Sequence, residues 1–201
     1  MFKKPFIALM FFVFCSSFQS IAFAQAEYTG IDAKASLAVP IVLYNNDLVF
    51  LDAQTGIGFG LALGYRWSYA GVYVDQSFNS VFVENDENKP EAQFMGTFYV
   101  MGRGFYPIMS KLQMHAGLCL GFIYGSHETR ENLGLSKNDV AFSLKTELGF
   151  TYFVNDMIGV GFDFNYAYAV AKVPRTFIGM TISIKHKMHI ITPGIHVNLR
   201  F

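Results

Sequence analysis

Ile195-His196-Val197-Asn198-Leu199-Arg200-Phe201 closes the chain. Apolar and polar residues alternate here without exception, and successive side chains of a strand point to opposite faces. Ile195, Val197, Leu199 and Phe201 therefore share a greasy face, and His196, Asn198 and Arg200 share a polar one. The period of the remaining chain decides whether this strand stands alone or is one of a set.

Working backwards and outwards, seven further segments alternate. The clearest is 56–67, where Ile57, Phe59, Leu61, Leu63, Tyr65 and Trp67 alternate with Gly58, Gly60, Ala62, Gly64 and Arg66. Segment 30–40 sets Ile31, Ala33, Ala35, Leu37 and Val39 against Asp32, Lys34 and Ser36. Segment 71–82 sets Val72, Val74 and Phe78 against Tyr73, Asp75, Ser77 and Asn79, with Gln76 interrupting the greasy face. In 92–105, Phe94, Phe98 and Val100 oppose Gln93, Thr97 and Arg103, while Met95, Tyr99 and Met101 blur the pattern. Segment 112–124 opposes Leu112, Met114, Leu118, Leu120, Phe122 and Tyr124 to Gln113, His115, Gly117, Cys119 and Gly121. Segment 140–153 opposes Val140, Phe142, Leu144, Leu148, Phe150 and Tyr152 to Ser143, Lys145, Glu147, Gly149 and Thr151. Segment 158–170 opposes Ile158, Val160, Phe162, Phe164, Tyr166 and Tyr168 to Gly159, Gly161, Asp163, Asn165 and Ala167. The terminal strand starts near 189.

Each segment is close to the roughly 9–11 residues that a tilted strand needs to cross hydrocarbon. The connections alternate in length. Ser68-Tyr69-Ala70, Pro107 to Ser110 and Val154 to Met157 are short, whereas 40–55, 83–91, 125–139 and 171–187 are long. Short turns on one side and long loops on the other predict an all-β, eight-stranded, antiparallel up-and-down transmembrane β-barrel, with both termini on the periplasmic side.

The opposite end of the sequence fits this compartment. Lys3 and Lys4 precede an apolar run from Phe6 to Cys15, and Ala22-Phe23-Ala24 offers small residues at a cleavage site. The segment has signal-peptide length and is too short to span a bilayer. Residues 1–24 are therefore expected to be cleaved, leaving 25–201 as one barrel domain. Of 15 Lys+Arg and 15 Asp+Glu, the signal removes Lys3 and Lys4, so the mature balance is 13 − 15 = −2. Such a balance gives no reason to expect nucleic acid. Cys119 alone remains, so no internal disulfide is expected. The composition is 52% hydrophobic and 17% aromatic, with no later apolar run long enough for a helical span. Alternating membrane strands account for both facts.

A soluble lipocalin-like barrel or sandwich would bury its large residues. Here the face opposite the large residues carries glycine, alanine and charges, a poor filler for a soluble core. The chain instead resembles the small eight-stranded outer-membrane barrels of the OmpA/OmpX type and the opacity-protein-like group. The resemblance covers 25–201. Val197-Asn198-Leu199-Arg200-Phe201 looks like the signal read by the barrel assembly machinery, with Val197, Leu199 and Phe201 as its apolar positions. It implies a surface-interaction and structural barrel, whose partners are outer-membrane lipids, lipopolysaccharide and an extracellular protein or host ligand.

The inward face holds four acids (Asp32, Asp75, Glu147, Asp163) and four bases (Lys34, Arg66, Arg103, Lys145). Unpaired charge in a narrow lumen is costly, so these are expected to pair as an interior network. The expected result is a largely plugged lumen; a narrow channel for ions or small hydrophobic solutes is the alternative. His115 and Cys119 read as filler, because no second ligand-type residue accompanies them at metal spacing. No cofactor or metal motif is present.

Tyr65, Trp67, Tyr124, Tyr152, Tyr166 and Tyr168 sit near strand ends and suit interfacial girdles. Loop 83–91 is acidic through Glu84, Asp86, Glu87 and Glu91. After Asp163 there is no acid, while Lys172, Arg175, Lys185, His186 and Lys187 cluster around the last loop, where contact with lipopolysaccharide phosphates is expected. Alternation of Phe177, Ile178, Met180, Ile182 and Ile184 suggests that the last two strands continue as a protruding hairpin. Catalysis is not expected, and a lipid A-modifying enzyme ranks behind the channel as an alternative. Ser126-His127-Glu128 are adjacent, and adjacent residues on an extended chain point apart. The same-face neighbours of His189, Lys187 and Ile191, supply no nucleophile.

Overall fold

A computed structural model of the chain describes residues 28–46, 49–84, 90–125, 140–177 and 180–201. The strands follow in order: β1 (Gly30–Ala38), β2 (Ile41–Asn46), β3 (Val49–Trp67), β4 (Ala70–Glu84), β5 (Pro90–Pro107), β6 (Leu112–Gly125), β7 (Ala141–Phe153), β8 (Ile158–Phe177) and β9 (Met180–Arg200). All pairings are antiparallel: chain neighbours pair in turn from β2 to β9, β1 pairs with β3, and β9 returns to pair with β1 and β2.

β1 and β2 form one stave. Both lie between β3 and β9, and the register is unchanged across the gap: Ala38 faces Gly58 and Gly194, and Ile41 faces Thr55 and Ile191. Pro40 causes the break, because it has no N–H to give to the ladder. The ladder survives through Val39 N donating to Pro193 O at 2.9 Å and Gly56 N donating to Pro40 O at 3.0 Å. The nine segments thus make a closed eight-strand antiparallel barrel, and closure leaves no free sheet edge.

The terminal strand performs that closure. It pairs with β1 from Asp32↔Arg200 to Ala38↔Gly194. Ile31 and Phe201 exchange backbone hydrogen bonds of 3.2 and 2.9 Å at its last rung. Short turns join β3 to β4, β5 to β6 and β7 to β8 at this same end. In the last of them, Asn155 Oδ1 accepts from Met157 N and Ile158 N at 2.9 and 2.7 Å, the local bonding that suits asparagine to tight turns.

The faces are inverted relative to a soluble protein. Phe142 is 66% exposed, Ile57 63% and Ile195 61%, whereas Asp32, Arg66, Arg103, Glu147 and Asp163 are at most 3% exposed. An outer wall of exposed aliphatic and aromatic side chains around a charged interior is stable only in hydrocarbon, so the strands are transmembrane. The soluble alternative is thereby excluded.

Three boundaries differ from the sequence expectation. Within segment 40–55 the described residues are strand and not loop: β2 extends the stave of β1 and pairs with the first residues of β3 from Ile41↔Thr55 to Asn46↔Val49. The last two strands do not stop at 170 and resume at 189 but stay paired to Phe177↔Met180, as the alternation within the loop had suggested. β5 extends to Pro90 and Pro107, and its pattern resolves: Met95, Tyr99 and Met101 are buried inside, while Phe94 and Val100 face out. Large residues on both faces had obscured the period. The positions 85–89, 126–139 and 1–24, including Ser126, His127 and Glu128, lie outside the described residues.

Candidate functional site

The lumen is the one place where buried chemistry gathers among the described residues. Its side chains come from every stave, because alternation sends every second residue inward. From the turn end towards the loop end it falls into three zones.

The first zone is a cationic mouth. Arg200 Nη2 and Arg66 Nη1 both donate to Gln113 Oε1, at 2.6 and 3.0 Å. Arg66 also gives Nε and Nη2 to the Ser68 carbonyl at 3.2 and 3.0 Å. The guanidinium of Arg200 lies 3.4 Å from the Phe153 ring centre, and that of Arg66 lies 4.0 Å from Phe105. Aromatic faces are the usual seat for a guanidinium that lacks a carboxylate. Asp32 accepts from Tyr73 Oη at 2.9 Å and lies 3.9 Å from Arg200 Nε.

The second zone is a cross-lumen ion network. Lys34 Nζ reaches Glu147 Oε2 at 2.9 Å and Asp163 Oδ2 at 2.8 Å. Arg103 Nη2 approaches Glu147 Oε1 at 2.6 Å, an ion contact without hydrogen-bond alignment, and its guanidinium sits 4.4 Å over Tyr73. His115 Nε2 bonds Asp163 Oδ1 at 2.8 Å. His196 Nδ1 lies 3.0 Å from Asp163 Oδ2, and its Nε2 bonds Thr151 Oγ1 at 2.9 Å. Beyond these, Lys145 pairs with Asp75 at 3.1 Å and lies 4.6 Å over Tyr99, whose hydroxyl meets Ser143 Oγ at 2.9 Å.

The third zone is apolar. Val42, Val81, Met95, Ile123, Ala141, Ala167, Ala169, Met188 and Ile190 form a buried cluster across the loop end of the lumen. Between it and the ion network lies a cavity of about 60 Å³, reaching Lys34, Asp75, Lys145, Glu147 and Asp163 on one side and Met95, Ala167 and Ile190 on the other. Charged groups line one side of it, and it is large enough for a few waters.

All eight predicted interior charges face the lumen. Seven join ion pairs, but the pairing differs from simple expectation: Lys145 and Glu147, two residues apart, choose different partners. Arg66 pairs with no acid in the described set; Gln113, Ser68 and Phe105 hold it instead. Arg200 also belongs to the interior, so five strong bases oppose four acids, and the four-to-four balance is corrected. His115 is not filler: it is one of two imidazoles set against Asp163, and Gly149 leaves room for it. Strand parity already sent His115 and His196 inward; only the closed barrel brings them together. Cys119 does pack as filler, with Tyr73, Tyr99, Met101 and Phe105.

His115, Glu147 and Asp163 offer ligand-type atoms within 4.8 Å of one another. Lys34 and Arg103 already engage both carboxylates, so a divalent cation would meet two fixed positive charges there. The arrangement does not fit a metal.

Outside, Tyr65 and Trp67 make an edge contact of 5.3 Å near the turn end. Gln76, which interrupts the outward face of β4, donates to Tyr124 Oη at 2.6 Å. His189 faces outward, with Nδ1 2.7 Å from Tyr166 Oη. Val197, Leu199 and Phe201 face outward at 43, 38 and 65% exposure. Lys172 and Arg175 lie on β8, and Lys185 and Lys187 on β9; Lys187 is exposed.

No family model matches the chain, and no curated protein matches it. Solved structures do. Neisserial surface protein A aligns over 86% of this chain and 97% of its own, with TM-score 0.58 and 15% identity. The outer membrane protein OprG of Pseudomonas aeruginosa aligns over 88% and 98%, with TM-score 0.55 and 14% identity. The outer membrane protein AlkL aligns over 88% and 92%, with TM-score 0.50 and 13% identity. The chain therefore has the fold of the small eight-stranded outer-membrane barrels. At these identities the likeness extends to the fold alone.

Proposed function

We propose that this chain is a structural and surface-interaction barrel of the bacterial outer membrane, with periplasmic termini, extracellular loops and a lumen closed to solutes. The single observation that carries the closed lumen is Lys34, seated between Glu147 and Asp163 at 2.9 and 2.8 Å in the middle of the barrel. An apolar layer lies above it and a guanidinium–aromatic layer below. With chemistry this tightly paired inside, recognition is left to the outer wall and the loops. On this reading residues 1–24 are the export signal. Val197, Leu199 and Phe201 are the positions read by the barrel assembly machinery. Lys172, Arg175, Lys185 and Lys187 meet lipopolysaccharide, and the loops meet an extracellular protein or host ligand. No catalytic role is assigned.

Planar-bilayer recording of the refolded protein tests the closed lumen. The expected result is no discrete conductance. The second reading, a narrow channel, is favoured by the cavity of about 60 Å³ beside the network. It requires unitary currents that change with Glu147→Gln or Arg103→Ala.

A further inference from the structure

Three of the four interior acids have their own cations. Lys145 holds Asp75, Lys34 and Arg103 hold Glu147, and Lys34 also holds Asp163. Three bases against three acids leave the middle of the lumen neutral before either imidazole is counted. The remaining interior charges lie at the turn end, where the guanidiniums of Arg66 and Arg200 face the single carboxylate of Asp32. Among the described residues, this mouth holds one positive charge in excess. Lys111 and Asp156, also at the turn end, are exposed and of opposite sign.

No small movement removes the excess. Asp32 Oδ2 accepts from Tyr73, while its Oδ1 lies 3.9 Å from Arg200 Nε, and neither of those two atoms has a hydrogen bond. Closing that gap would pair Arg200 and leave Arg66 without an acid. The two guanidiniums instead converge on one neutral atom, Gln113 Oε1, at 3.0 and 2.6 Å. Gln113 is 4% exposed, and its Nε2 is buried without a partner. The Tyr28 ring covers both guanidiniums, 4.9 Å from that of Arg200 and 5.6 Å from that of Arg66. The Arg200 side chain keeps 11% exposure, so the mouth reaches water.

A buried charge without a counter-charge is costly, and two guanidiniums drawn to one acceptor repel each other. We propose that this mouth is a binding site for a single carboxylate, which supplies the missing negative charge. A carboxylate is monovalent, as the excess requires, and its two oxygens match the planar donor fork of an arginine. Arg200, Arg66 and the unpartnered Nε2 of Gln113 are its donors. The carboxylate belongs to a small solute or to the end of a peptide. Its arrival from the periplasm rests on the reading above; the charge argument does not.

The test uses the refolded protein in neutral detergent micelles, where both ends of the barrel meet buffer. Urea unfolding is followed by the fluorescence of Trp67, the single tryptophan. Chloride is exchanged for acetate at constant ionic strength, so that screening stays equal. Acetate at about tenfold its dissociation constant should raise the folding equilibrium constant about tenfold over chloride. A short alanine peptide and its C-terminal amide separate the two sources: a gain with the free peptide but not with acetate or the amide supports a peptide end, and a gain with acetate supports a small solute. Arg66→Gln and Arg200→Gln should each lose the gain, and Lys111→Gln should keep it. Gln113→Glu fixes a carboxylate where both guanidiniums converge, so it should be more stable than the wild type in chloride and indifferent to acetate. Equal wild-type midpoints in chloride, acetate and both peptides overturn the site. So does a Gln113→Glu variant that is weaker than the wild type in chloride or still gains with acetate.

Discussion

Lys34 and Glu147 lie 113 positions apart and meet across the lumen at 2.9 Å, with Arg103 on the other carboxylate oxygen at 2.6 Å. One carboxylate thus holds two cations, and Asp163 supplies the second negative charge to Lys34 at 2.8 Å. Glu147→Gln leaves Arg103 without its acid and Lys34 with Asp163 alone. Removing one partner of a buried pair costs about 3–5 kcal/mol. Denaturant unfolding of the refolded barrel should lose that much, and the double variant Glu147→Gln, Arg103→Met should recover part of it. A loss indistinguishable from zero would mean that the network does not hold the staves.

Gly149 faces inward on β7, and a Cβ there would collide with Asp163 Oδ1 and the His115 ring. Gly149→Ala should displace His115 from Asp163 and cost about 1–3 kcal/mol, as overpacking does. Gly102, on the outer wall with open space around it, is the control: Gly102→Ala should be neutral or mildly stabilising. Equal effects at the two sites would contradict this assignment of space.

Val100 is 50% exposed in the middle of β5. In hydrocarbon, Val100→Arg should cost about 2–4 kcal/mol; on a water-facing wall it would be nearly neutral. Unfolding measured in lipid vesicles separates the two outcomes directly.

Phe201 closes the seam through two backbone hydrogen bonds with Ile31 and an outward ring. Deleting it removes both bonds, about 1 kcal/mol each, and the ring's burial in lipid, about 1.5–3 kcal/mol. The heat-modifiable fraction recovered from outer membranes should fall. Phe201→Tyr should retain it. An undiminished yield on deletion would show that Leu199 and Val197 suffice.

The sequence by itself determined which way each side chain faces. A strand has a period of two, so Ile195 and His196 are sorted by neighbourhood alone, and eight such segments of crossing length define the barrel before any contact is known. The same locality explains the misses. At β5, Met95, Tyr99 and Met101 are as large as the outward residues, and size no longer reports face. At 40–55 and 171–187, polar residues and Pro40 interrupt the greasy face, so pairing that continues there reads as loop. Only the tertiary structure decided who meets whom inside. Lys34, Glu147, Asp163, His115 and His196 come from five different staves, and their meeting depends on the stagger and closure of the whole barrel. It also decided that Lys172 stands opposite Lys185, because register within a hairpin is fixed by where the chain turns and not by either strand alone.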